Sequence, residues 1–146
     1  MAIVDRAARI LLIEDEEYDA WAIATAFEEG KVLVDLHREV NGERGLAYLR
    51  TKAAEGTPPD LVLLDLNLPG MSGLEVLEEI KTDPTLKTTP VVVLTTSEAG
   101  SDVLQSYQQH ANCYITKPVD TDKLARTIDQ LDGFFFRLVA LPTEST

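Results

Sequence analysis

Apolar and polar positions fall along the chain in two alternating kinds of block. Five short apolar runs stand apart: Arg9 to Ile13, Lys31 to Val40, Leu61 to Leu64, Val91 to Leu94 and Asn112 to Thr116. A short apolar run closed by turn residues reads as a strand buried on both faces, as in a parallel sheet. The second run alternates instead, which suits a half-buried strand near an edge. Between the runs the period lengthens to that of a helix. Tyr18, Trp21, Ala22 and Thr25 lie at i, i+3, i+4 and i+7 and predict the inward face of a helix over Tyr18 to Glu29, ended by Gly30. A second helix is predicted over Glu43 to Glu55, with Leu46, Ala47 and Leu49 inward, after the turn signal Asn41-Gly42. Ser72-Gly73-Leu74-Glu75 reads as a capping box opening a third, striped by Leu74, Leu77 and Ile80. A fourth is predicted from about Ser101 to Gln109. A fifth, capped by Asp120, turns Leu124, Ile128 and Leu131 inward and continues through Phe134-Phe135-Phe136 to Leu138.

Strand and helix thus alternate five times. That order predicts βαβ units with right-handed crossovers, and so a doubly wound α/β fold whose five parallel strands carry helices on both faces. No linker, repeat or low-complexity stretch divides the 146 residues. A single domain over 1–146 is expected, with its core at about 9–138, a short tail at 139–146 and no room for an output domain. Composition adds little until charge is counted. The formal net charge of -12 speaks against direct nucleic-acid binding, because phosphate contacts need a basic footprint. It is compatible with a site for a divalent cation. Cys113 is the lone cysteine, so no internal disulfide forms; it is expected as a small buried hydrophobe. His37 and His110 are expected as structural or surface residues. No signal peptide or run of about 20 apolar residues is present, so a cytoplasmic protein away from membranes is expected.

The chemistry lies at the carboxyl ends of the predicted strands. The first run ends on Glu14 and Asp15, the third on Asp65, the fourth on Thr95 and the fifth on Lys117. In a parallel sheet these ends share one edge, where open α/β sheets bind their ligands. A carboxylate deep in an apolar strand costs several kcal/mol unless a cation or hydrogen bonds offset it. Three acids at one edge repel one another, and a hard, oxygen-seeking ion such as Mg2+ relieves this. With charge neutralised there by metal and Lys117, Asp65 can attack phosphorus as a nucleophile, the rate coming from positioning and electrostatics.

The acidic pair Glu14-Asp15, Asp65 with its following Leu-Asn-Leu-Pro-Gly-Met-Ser-Gly, the hydroxyl of Thr95 and the pair Lys117-Pro118 together resemble a response-regulator receiver domain, the flavodoxin-like (βα)5 module of two-component signalling. The resemblance spans about Arg9 to Leu138. It implies that Asp65 is the phospho-acceptor and a sensor histidine kinase the donor. It implies that Asp15, Glu14, Asp65 and the backbone carbonyl of Asn67 serve Mg2+, and that Thr95 and Lys117 hold the phosphoryl group. Tyr114 falls at the aromatic switch position, and the bond before Pro118 is a candidate cis peptide. Phosphorylation would draw Thr95 inward, free space for Tyr114 and change the partner preference of the face made by the fourth helix, fifth strand and fifth helix. The segment Ala111 to Asp120 and the later aromatic run resemble stand-alone receivers paired with cyanobacterial and other bacterial phytochromes. That subgroup implies homodimers, for which Phe134, Phe135 and Phe136 are interface candidates.

The sequence departs from the family in three places. Glu14 stands for the commoner aspartate, Glu16 for smaller or neutral residues, and the stretch between Gly42 and Asp60 is long. Two other functions use the same residues: a receiver-like scaffold that binds partners without phosphorylation, and a Mg2+-dependent phosphohydrolase. The second also needs another acid for turnover and a lid, and no segment is large enough for a lid.

Overall fold

The computed structural model describes residues 7–29, 33–96, 111, 113–117 and 122–124. Their elements run in the order β1 (Ala8–Ile13), α1 (Glu17–Glu28), β2 (Val34–Glu39), α2 (Gly42–Ala54), β3 (Leu61–Asp65), α3 (Gly73–Thr82), β4 (Val91–Thr96) and β5 (Cys113–Lys117). All five strands are parallel, in the spatial order β2-β1-β3-β4-β5. This is the doubly wound, flavodoxin-like order, and the topological switch point falls between β1 and β3. The helices predicted after β4 and β5 lie outside the described residues, apart from a helical fragment at 122–124.

Register explains why the strands read as continuous apolar runs. Ile10 pairs with Leu61 and Leu11 with Val62, so alternate residues of neighbouring strands point to the same side. Ile10, Leu12, Leu61, Leu63, Val92, Leu94 and Ile115 pack on one face with Ala20, Ile23 and Leu124. Leu11, Ile13, Val62, Leu64, Val91 and Val93 pack on the other with Leu46, Leu49, Val76, Leu77 and Ile80. Both faces being covered, neither parity can be polar until the strand ends. The edge strand β2 is half-buried along most of its length, as its alternation predicts.

The helices agree with their signals unevenly. In α3, Ser72 Oγ accepts from Glu75 N–H and the Glu75 carboxylate accepts from Ser72 N–H, a complete capping box. Its buried stripe is Val76, Leu77 and Ile80; Leu74 packs at the margin. In α2 the Asn41-Gly42 pair is a cap rather than a free turn, since Asn41 Oδ1 accepts from Arg44 N–H at 2.8 Å. Leu46 and Leu49 face the core, but Ala47 is exposed.

α1 is rotated from its predicted phase. Tyr18 and Trp21 are 73% and 61% exposed, and the buried residues are Ala20 and Ile23, with Phe27 packed beside them. The two aromatics pack on each other instead, ring centroids 5.8 Å apart. The reason is steric and electrostatic together. Small Ala20 lets the helix seat closely on the sheet, and that phase carries Asp19 toward the strand tips.

The β3–α3 turn fixes the position of Asp65. Gly70 takes a left-handed φ of 69°, which favours glycine. Gly73 packs against the end of β3 so closely that an added Cβ would collide with the Asp65 carbonyl oxygen.

Candidate functional site

β1 and β3 adjoin, so the chain leaving each meets at the switch point. Glu14 follows Ile13 directly, and its N–H still donates to Glu39 O at 3.0 Å, extending the ladder past the strand. Its side chain is therefore carried inside the edge and is wholly buried. Asp15, one residue on, is exposed. Asp65 is the last residue of β3 and is 1% exposed. Carboxylate oxygens of Glu14, Asp15 and Asp65 lie within 4.8 Å of one another. Lys117, the last residue of β5, reaches across to them. Its Nζ is 2.6 Å from Glu14 Oε1, 3.0 Å from Asp19 Oδ2 and 3.3 Å from Asp65 Oδ2.

The cluster is electrostatically unbalanced, with four carboxylates around one ammonium. Burial raises the Glu14 carboxyl to about pH 7 for half-titration; Asp65 adds to the shift and Lys117 opposes it. Burial alone would lower the Lys117 pKa, but the adjoining Glu14 carboxylate, the hydrogen bond to Asp19 and the charge of Asp65 outweigh it and hold the amine above its ordinary range. Glu14 Oε2 accepts from Glu16 N–H at 3.2 Å. Glu14 Oε1 is buried, and although Lys117 is close, no hydrogen bond aligns on it. A buried oxygen in that condition, beside two more carboxylates, suits a hard divalent cation. The donor set is all oxygen, as Mg2+ or Mn2+ prefers.

The other predicted residues lie around this centre. Asn67 N–H donates to Asp65 Oδ1 at 3.0 Å, which orients the carboxylate; the Asn67 side of the turn is exposed. Thr95 is buried and follows Leu94, the register partner of Asp65. Tyr114 is half-buried, packs beside the α2 and α3 side of the core and has Lys123 Nζ 6.0 Å from its ring centroid. Pro118, Phe134, Phe135, Phe136 and His110 lie outside the described residues.

Sequence reasoning missed two residues. Asp19 joins Lys117; its signal is an acid one helical turn beyond Asp15. Arg38, from β2, donates to Glu14 O at 2.9 Å and to Asp15 O at 3.2 Å and so clamps the acidic loop. No local pattern announces it, because its partners are main-chain atoms of the loop after β1, far from it in sequence. Of two expectations about smaller features, that for His37 is met, and that for Cys113 is met only in part, since it is half-buried where a buried residue is expected. His37 stacks on Tyr48, centroids 3.9 Å apart, and pairs with Glu39. Cys113 is half-buried beside the core.

Residues 10–129 match the response regulator receiver domain family. The chain belongs to that family. As a receiver it is 40% identical over 135 residues to response regulator Rcp1 of Synechocystis sp., covering 91% of this chain and 92% of that protein. The crystal structure of the phosphorylated cyanobacterial phytochrome response regulator RcpA superposes with a TM-score of 0.73 at 44% identity, over 83% of this receiver and 88% of that chain. The Mn(2+)-bound form of Rcp1 superposes with a TM-score of 0.72 at 39% identity, over 92% and 99%. This receiver is thus a homologue of phytochrome response regulators with a phospho-acceptor signalling role. No helix among its described residues is long and apolar enough to cross a membrane.

Proposed function

We propose that Asp65 is the phospho-acceptor, and that its donor is the phosphohistidine of a sensor kinase coupled to a phytochrome. One observation carries the reading: a buried carboxylate at the tip of β3 lies 3.3 Å from an ammonium and within 4.8 Å of two more acids. Asp65 Oδ attacks phosphorus as the bond to the imidazole nitrogen breaks, leaving an acyl phosphate on the protein and a neutral imidazole on the kinase. Lys117 balances the added charge on the phosphoryl oxygens, and Asn67 N–H keeps the carboxylate in line for attack. Thr95, at the neighbouring strand tip, receives a phosphoryl oxygen. Glu14, Asp15, Asp65 and the Asn67 carbonyl would hold Mg2+, which when bound neutralises charge that builds on the transferring group.

The switch belongs to the same proposal. Thr95 moves toward the phosphoryl group, Tyr114 turns into the space released, and the surface formed by β5 and the elements beside it changes partner. The single-domain reading of 1–146, a cytoplasmic location and a homodimer through Phe134 to Phe136 complete the proposal. Sedimentation with and without phosphorylation reads the dimer.

The central test is incubation with acetyl phosphate and Mg2+, followed by intact mass. One phosphoryl adduct on the native protein and none on Asp65→Asn is expected. Absence of the adduct, or its persistence on Asp65→Asn, overturns the assignment. Transfer from a phytochrome kinase that changes with illumination tests the donor; light-independent transfer overturns that part.

A further inference from the structure

Among the described residues, Asp19 is the one acid touching Lys117 that the proposed function leaves without a role. It stands in the first turn of α1, and its Oδ2 accepts a hydrogen bond from Lys117 Nζ at 3.0 Å. The contacts of this ammonium differ in kind. The one to Asp19 is an aligned hydrogen bond, whereas Glu14 Oε1, closer at 2.6 Å, has no aligned hydrogen bond. Glu14 and Asp65 also belong to the group of acids whose oxygens converge within 4.8 Å, and Asp19 does not.

That division has a consequence for cation binding. A divalent ion taking Glu14 Oε1 must displace the ammonium from it, because two positive charges on one buried oxygen repel strongly. Lys117 is itself mostly buried, so an ammonium pushed off Glu14 without another anion would be costly. Asp19 supplies an anion that is not part of the converging group and is already hydrogen-bonded to the displaced amine.

Resting on the reading of the site as a cation-dependent phospho-acceptor, we infer that Asp19 is a positioning residue for Lys117. It keeps the amine beside Asp65 while the cation takes over Glu14, so that ion and ammonium act together instead of competing. Simple addition of negative charge, or support of the α1 dipole, would also make Asp19 favour a cation. A double-mutant cycle separates these effects.

Mg2+ binding is measured by calorimetry on the whole chain for wild type, Asp19→Asn, Lys117→Met and the double variant. Asp19→Asn is expected to weaken Mg2+ about tenfold, within the range of coupling between contacting groups. In the Lys117→Met background the same change is expected to shift affinity by less than about twofold. Glu17→Gln removes an acid from the same helical turn, and is expected to stay within about twofold of wild type. Asp19→Glu is expected to recover part of the loss. Equal weakening by Asp19→Asn in both backgrounds overturns the inference, and so does equal weakening by Glu17→Gln. The Glu17 comparison decides alone if Lys117→Met does not fold. A wild type that binds Mg2+ and is phosphorylated, with an Asp19→Asn variant of undiminished affinity, overturns this inference only. A wild type that does neither overturns the proposed function and the inference with it.

Discussion

Asp60 and Asp65 are buried aspartates at the two ends of β3, and they are held in opposite ways. Asp60, just before the strand, exchanges two hydrogen bonds with Arg9. Its N–H donates to Arg9 O at 2.7 Å, and its Oδ2 accepts from Arg9 N–H at 2.8 Å. The carboxylate there finishes the backbone ladder and satisfies a donor that the sheet edge would otherwise leave open. Asp65 sits among further acids, with an exposed turn beyond it, and its ammonium is shared with Glu14 and Asp19. Burial of an acid therefore does not mark a reactive site. An excess of acids over partners does, because such a group gains from an added cation.

The sharpest break between the two ends is chemical. Asp65→Asn is expected to remove the phosphoryl adduct completely, while Asp60→Asn keeps it; intact mass after acetyl phosphate treatment reads both. Their stabilities should move in opposite directions. Without Mg2+, Asp65→Asn is expected to unfold no earlier than wild type and to gain about 1 kcal/mol, as crowded functional acids tend to cost stability. Asp60→Asn is expected to lose about 1–3 kcal/mol, the usual cost of disturbing a charged, buried hydrogen bond. Urea unfolding of the two variants decides. Equal losses would erase the contrast.

The pH dependence sharpens the same point. In the metal-free protein the Glu14 carboxyl is raised by burial from 4.5 to about 7. The folded state thus holds this proton more tightly than the unfolded chain. Its contribution to stability is complete below about pH 4.5 and is lost as pH rises through about 7, a fall of about 3 kcal/mol at most. Saturating Mg2+ should flatten that fall, and Glu14→Gln should abolish it. Unfolding midpoints between pH 4.5 and 7.5, with and without Mg2+, provide the check.

Two smaller effects test the supports of the acidic end. Gly73→Ala places a methyl group against the Asp65 carbonyl and is expected to cost about 1–3 kcal/mol by overpacking, with slower phosphorylation. Arg38→Met removes the hydrogen bonds to Glu14 O and Asp15 O. It is expected to cost about 1 kcal/mol and to weaken Mg2+ a few-fold, by loosening the loop while leaving every acid in place. Thermal unfolding and calorimetry measure the pair. An Arg38→Met variant with wild-type Mg2+ affinity would show that the acids need no clamp.

Much of this was readable in one dimension. Strand runs are legible because both faces of a parallel sheet are covered, so every position from Leu61 to Leu64 must be apolar. The cap at Ser72 is legible because its partners lie within one turn. Glu14, Asp15, Asp65, Thr95 and Lys117 stand out because each breaks or ends an apolar run, and parallel topology sends such ends to one edge.

The phase of α1 was not legible. Tyr18 and Trp21 carry the largest apolar area, and periodicity alone would bury them. The fold turns them outward, since Ala20 seats closer to the sheet and Asp19 meets Lys117 from a strand far along the chain. The Arg38 clamp and the quiet role of Asp60 are hidden for the same reason: their partners are main-chain atoms of β1 or of the loop that leaves it, invisible to any local pattern. Residue type and spacing determined which elements form and which polar groups reach their tips. Only packing decided how each helix is turned and which acids share one amine, because those choices depend on distances between segments that the chain brings together last.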